Sequence, residues 1–299
     1  MAILIDPPLW PAHGTLFSHL VSDTSIEELH AFARTAGLPE RAFDRDHYDV
    51  PQRRQATLVA AGALPVSASE LVRRLLRSGL RIPARERPER LDAVLLARWE
   101  VLLPGAPQLG RDLLTRWSEE HRSYHDRAHL LAVLAAIDRL VSAGEPSGAH
   151  PRAVVLAAWF HDAVYAGVPG GDEEASAALA AALLPGAGIG GPECAEVIRL
   201  VRLTATHRPM AADAAGALLC DADLEVLGRS TGAYARYAQS VHREYAHVPE
   251  AIFRDGRARI LSALLESGSL YSTPTGAALW EGSARANLTA EITALRSAG

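Results

Sequence analysis

Residues Ala157-Ala158-Trp159-Phe160-His161-Asp162-Ala163-Val164-Tyr165 read as a buried helix whose apolar run ends on an adjacent histidine and aspartate. Burying an imidazole beside a carboxylate is unfavourable unless each finds a partner. A divalent metal satisfies both at once, because both groups are good ligands. A chance meeting of the two residues at a helix end is the alternative. The rest of the chain decides between these readings.

The sequence around this segment is helical throughout. From Leu91 to the C-terminus the apolar residues recur at helical spacing. The expected helices run near 91–103, 109–120, 126–142, 151–163, 173–184, 192–204, 214–227, 231–246, 250–267 and 277–297. Nothing there reads as strand, so residues 89–299 are expected to form an all-α domain.

The first eighty residues differ. Ala2-Ile3-Leu4-Ile5 has the composition of a short buried strand, ended by Asp6-Pro7-Pro8. Ser22-Asp23-Thr24-Ser25 caps a helix that Gly37 stops. A second helix is expected from Arg53 to Gly62, a short strand at Leu64-Pro65-Val66, and a third helix from Ser69 to about Gly79. Strand and helix alternating over so short a span predict a small α/β domain over residues 1–82. The charged, proline-punctuated stretch Arg81–Pro88 is the expected joint. The polar groups of this part are Asp6, His13, His19, Asp23, Asp46, His47 and Asp49, and no pair of them has a recognised ligand spacing. Asp6 stands at the end of the first strand, where open α/β sheets place their sites.

The net charge of −5 argues against a general binder of nucleic-acid polymers or membrane surfaces. All 30 basic residues are arginine, which excludes Schiff-base chemistry on lysine. Cys194 and Cys220 form no CxxC pair and read as small core residues in a reducing compartment. No basic segment precedes an apolar run at the N-terminus, so a cytoplasmic protein is expected.

Three apolar helices of the C-terminal part each carry a candidate ligand. Tyr124-His125-Asp126-Arg127-Ala128-His129 opens the first, His161-Asp162 closes the second, and Cys220-Asp221-Ala222-Asp223 lies on the third. Histidine, His-Asp and aspartate in that order resemble the metal signature of the HD superfamily. The neighbours extend the likeness: Arg122-Ser123-Tyr124, Asp172-Glu173-Glu174-Ala175-Ser176-Ala177, Thr204-Ala205-Thr206-His207, Glu244-Tyr245 and Ala284-Arg285-Ala286-Asn287-Leu288. Over residues 90–297 the chain resembles a branch of bacterial metal-dependent HD phosphohydrolases that is itself defined mainly by sequence.

That resemblance implies His129, His161, Asp162 and Asp221 as ligands of a divalent transition metal, with Mn, Fe, Co, Ni and Zn all suited to mixed nitrogen and oxygen donors. It implies hydrolysis of a phosphomonoester or phosphoanhydride of a small molecule, nucleotides first among them, by metal-activated water. His129 is preferred to His125 as ligand because Leu130–Leu134 continue its helix. His125 is then one turn earlier on the same face, available to substrate or to a second metal. Glu173 or Glu174 is the candidate general base, with helix-dipole placement as the ordinary alternative. His207 and Arg257 are candidates for phosphate binding, Arg257 ahead of Arg208, Arg243 and Arg254. Asp223 points away from Asp221 along a helix and reads as a supporting residue. A non-catalytic nucleotide-sensing module and a di-iron oxygenase are the competing functions, and homo-oligomerisation stays open. Separately, Leu4-Ile5-Asp6-Pro7-Pro8-Leu9-Trp10-Pro11-Ala12-His13-Gly14, Ser18–Thr24 and Asp46–Pro51 resemble an uncharacterised bacterial domain, domain of unknown function 4031. That resemblance covers residues 1–80 and implies no activity.

Overall fold

The structure is a computed structural model that describes residues 2–81, 88–168 and 170–297, with the backbone alone at 88 and 89. Most of the expected joint, residues 82–87, therefore lies outside the described residues, as does Pro169 of the loop before Glu173. The chain divides into two units, Met1–Pro83 with Ser230–Ala235, and Ala84–Arg229 with Arg236–Gly299. The first is α/β and the second is mostly helical.

The first unit is built on strands β1 (Ile3–Ile5), β2 (Trp10–Ala12), β3 (Thr15–Ser22), β4 (Phe43–Asp44), β5 (His47–Pro51) and β6 (Leu64–Pro65). They form one sheet in the order β4-β5-β3-β1-β6, with β2 paired to β3. Only β1 and β6 run parallel among the described pairs. Helices α1 (Ile26–Thr35), α2 (Gln52–Ala60) and α3 (Ala68–Ser78) cover it.

Alternation along the strands sorts the residues between two faces. Ile3, Ile5, Leu20, Tyr48 and Val50 pack with Leu29 of α1 and Leu58 of α2. Leu4 and Val21 point the other way, onto Leu71 and Leu75 of α3. The expected cap of α1 is present, the Ser25 side chain accepting from the Glu28 N–H; α3 starts one residue before the expected Ser69 and is capped by Ser67, which accepts from the Glu70 N–H. Gly79 closes α3 in the left-handed conformation, φ 74°.

The β2–β3 and β4–β5 hairpins went unread in the sequence. β2 is exposed along its length and β4 is two residues long, so neither shows an apolar pattern. The signal was the turn: His13 and Gly14 both take positive φ, 46° and 74°, as a two-residue hairpin loop requires.

The second unit contains α4 (Pro88–Leu102), α5 (Pro107–Arg116), α6 (Arg127–Ser142), α7 (Pro151–Phe160), α8 (Gly171–Leu183), α9 (Gly191–Leu203), α10 (Ala214–Asp223), α11 (Thr231–Glu244) from Arg236 onward, α12 (Glu250–Glu266) and α13 (Pro274–Ser297). Helix α7 is its centre. Ala153, Val154 and Leu156–Phe160 are all buried, and α6, α9 and α10 pack around them. A helix apolar on every side belongs in the middle of a core. Trp99 and Trp159 meet edge to face, 4.9 Å between ring centroids, and a Cβ at Gly110 would collide with the Trp99 indole. Among the described residues no helix is long and apolar enough to cross a membrane.

Candidate metal centre

His129 enters the site from the first turn of α6. The Asp126 side chain caps that helix, accepting from the N–H groups of Ala128 (2.7 Å) and His129 (3.2 Å). Because Asp126 is extended, His125 lies before the helix rather than one turn earlier along it. His161 arrives from the other direction, as the residue that caps the C-terminus of α7. Its Nδ1 donates to the Ala158 carbonyl at 2.9 Å, which leaves the Nε2 lone pair facing inward. Trp117 lies against both rings, 5.4 Å from His161 and 6.2 Å from His129.

The two Nε2 atoms are 3.3 Å apart. Asp223 Oδ1 stands 3.1 Å from His129 Nε2 and 3.5 Å from His161 Nε2. Asp162 Oδ2 stands 3.1 Å from His161 Nε2 and 3.8 Å from His129 Nε2. Around one ion with donor bonds of about 2.1 Å, neighbouring donors are about 3.0–3.4 Å apart. The spacing of His129, His161 and Asp223 therefore fits a single cation, with Asp162 beside it against His161. The imidazoles are sealed, while the carboxylates of Asp162 and Asp223 keep 14% and 12% exposure. Access is from the carboxylate side.

The electrostatics agree. Burial pushes the carboxyl groups of Asp162 and Asp223 up, but the facing histidines outweigh it and hold both below the usual carboxylate range. Burial disfavours a charged His161, and the same two carboxylates reverse that and raise it. The centre attracts positive charge at one point between the side chains.

Asp221 is not part of this centre, contrary to the expectation from sequence. Its carboxylate accepts from Ser272 N–H (2.7 Å), Thr273 N–H (2.8 Å) and the Thr273 hydroxyl (2.6 Å), at the entry to α13. Positions 221 and 223 do point apart on α10, as helical geometry demands. The inward residue is Asp223. His207, in a left-handed conformation, joins the centre through Asp223, 2.7 Å from its Oδ2.

The remaining expected residues divide. Glu174 is turned outward into a surface pair with Arg202, at 2.6 and 2.7 Å, which removes it as general base. Glu173 is half-buried, and its Oε2 is sealed from solvent without a hydrogen-bond partner among the described residues. Arg257 is committed to Glu291 at 2.9 Å and to the Tyr237 ring, so it is not a free phosphate clamp. His125 stacks on Tyr165, 4.3 Å between centroids, and its ring is 5.8 Å from that of His129.

Residues 3–78 match the model of a family described as a protein of unknown function, DUF4031. No curated protein and no solved structure matches the chain. The DUF4031 match agrees with the resemblance read over residues 1–80 and lies within the α/β unit; the cluster of His129, His161 and Asp223 lies beyond it.

Two further residues hold the centre together and carried no assigned role in the sequence. Glu244 Oε1 accepts from the N–H groups of Ser123, Tyr124 and His125 at 2.7–2.9 Å, and its Oε2 faces His125 Nδ1 at 2.7 Å. Burial pushes this carboxyl up, but His125 and those N–H groups bring it down to about 2. For His125, burial is again opposed, and Glu244 leads the groups that raise it. The Arg122 guanidinium, wholly buried, donates to the carbonyls of His125 (2.9 Å) and Asp162 (2.8 Å). It thereby ties the segment before α6 to the one after α7. Both stand in segments quoted for the likeness, but local sequence does not disclose the role of Glu244, because its partners stand 79 residues and more away.

Proposed function

We propose that the helical unit is a metal-dependent phosphohydrolase of the HD type, acting on a phosphomonoester or phosphoanhydride of a small molecule, with nucleotides as the first substrate class. The convergence of two imidazole Nε2 atoms with the Asp223 carboxylate at cation spacing, and Asp162 beside His161, carries this reading. In it His129, His161, Asp162 and Asp223 hold a divalent transition ion. Such an ion, when bound, supplies a water that ionises near neutral pH and an electrostatic partner for a phosphoryl oxygen.

The chain's own groups do the rest. The Ala158 carbonyl fixes the ring of His161, and His207 fixes the carboxylate of Asp223. His125, held at Nδ1 by Glu244 and partly open to solvent, has Nε2 left for a phosphate oxygen or a leaving group. Trp117 keeps water from the rear of the two imidazoles.

The test is metal binding and phosphate release measured together on the full chain. The protein is loaded with manganese or zinc and screened against nucleoside mono-, di- and triphosphates and guanosine polyphosphates. Asp223→Asn should weaken binding at this centre by at least about 100-fold and abolish phosphate release, while Asp221→Asn keeps both. Metal-loaded wild-type protein that binds nucleotide but forms no product in a single turnover would replace the hydrolase by a sensor. An Asp223→Asn chain with unchanged metal affinity would sink the ligand set.

A further inference from the structure

The N-terminal unit carries a second cluster, built on different principles and sharing no residue with the first. His19 lies on β3 directly opposite Asp49 on β5, and His47 precedes Asp49 by two residues. Strand alternation therefore puts all three side chains on one sheet face. It is the face of Leu4 and Val21, whose apolar part α3 covers.

We propose that His19, His47 and Asp49 bind a divalent transition metal. One ring nitrogen of each histidine and one carboxylate oxygen of Asp49 lie within 4.8 Å of one another. The nitrogens that converge are the Nε2 atoms, because both Nδ1 atoms are already committed. His19 Nδ1 is 2.9 Å from Asp6 Oδ2, and His47 Nδ1 is 2.6 Å from Asp46 Oδ1. Asp6 and Asp46 are 1% and 2% exposed, so each is a buried carboxylate orienting an imidazole from behind. Asp6 is itself pinned by accepting the His19 N–H, and Asp46 by Arg81.

A buried histidine–aspartate pair can serve packing alone. Two such pairs that aim their free nitrogens at a third carboxylate do what metal sites do, where the rear carboxylate fixes the tautomer and raises ligand basicity. Asp49 Oδ1 lies 3.4 Å from His47 Nε2, close to the donor spacing around one ion. The Asp49 carboxylate is 48% exposed and His19 25%, so the site opens to solvent. Two imidazoles and one carboxylate leave further positions for water or a substrate oxygen, and they suit zinc, iron, cobalt, nickel or manganese.

Zinc alone is the probe, and the full chain carrying Asp223→Asn is the background that weakens the helical centre. Zinc per chain is measured by elemental analysis after dialysis, and affinity by competition with a chromophoric chelator. We expect one zinc per chain in this background. Adding Asp49→Asn, at a half-exposed position that leaves the fold intact, should weaken it at least tenfold. Adding Asp6→Asn should weaken it about 10- to 100-fold with all three ligands still present. Zinc should also shift the Nε2 resonances of His19 and His47. A background chain that binds no zinc, or whose zinc survives both His19→Gln and Asp49→Asn at full affinity, overturns the proposal. If the helical centre binds nothing even in wild-type protein, the same variants still decide this site.

Discussion

The two clusters present similar side chains and are assembled in opposite ways. In the sheet, ladder register does the work: His19 faces Asp49 because β3 and β5 are hydrogen-bonded there. In the helical unit the histidines sit at a helix start and a helix end, 32 residues apart, with no ladder between them. Their positions depend on buried side chains that grip backbone: Asp126 on α6, Arg122 across two loops, Glu244 on the residues before α6, and Asp172 on the N–H groups of Ala166 and Val168. A sheet site is held by the backbone itself, whereas a helix-end site needs dedicated anchors.

The largest effect expected from this contrast is at Asp221, which anchors the entry to α13 with three accepted hydrogen bonds. Asp221→Ala leaves buried donors without a partner and should lower stability by about 3 kcal/mol, read by urea denaturation. Equal stability in the two proteins would break the anchor argument.

Glu244 comes next and carries a pH signature. Its carboxyl is held at about 2, below an unfolded value of about 4.3. A depressed carboxyl stabilises fully above the unfolded value and loses that contribution as pH falls towards the folded one. Wild-type protein should therefore exceed Glu244→Gln by about 2–3 kcal/mol at neutral pH, and the gap should close between about pH 4.3 and 2. A gap independent of pH would mean that the anchor works by shape rather than charge.

The smallest effect is at Glu174, whose ion pair with Arg202 is exposed. Glu174→Ala should change stability by less than about 1 kcal/mol and leave phosphate release within about twofold. A large loss of turnover would return Glu174 to the catalytic machinery and sharpen the role of the loop before it.

Much of the fold was legible because it depends on local pattern. The helices of the second unit follow apolar periodicity, and α1 begins at the expected serine cap. His129, His161 and Asp162 were legible as residues that interrupt apolar helices. The choice between Asp221 and Asp223 was not. Spacing says that they point apart, but which one points inward depends on how α10 is rotated against α6 and α7. Arg257 misled for a related reason, since a guanidinium is free or spoken for according to a partner, Glu291, from another helix.

The sheet cluster shows the same division. Asp6, His19, Asp46, His47 and Asp49 stood out by residue type, yet the β2–β3 and β4–β5 hairpins were hidden and with them the register that joins them. The sequence by itself determined an α/β unit followed by a helical one, because periodicity and caps act within a few residues. Only the tertiary structure decided which carboxylate meets which imidazole, because helix rotation and strand register are set by packing among segments far apart in the chain.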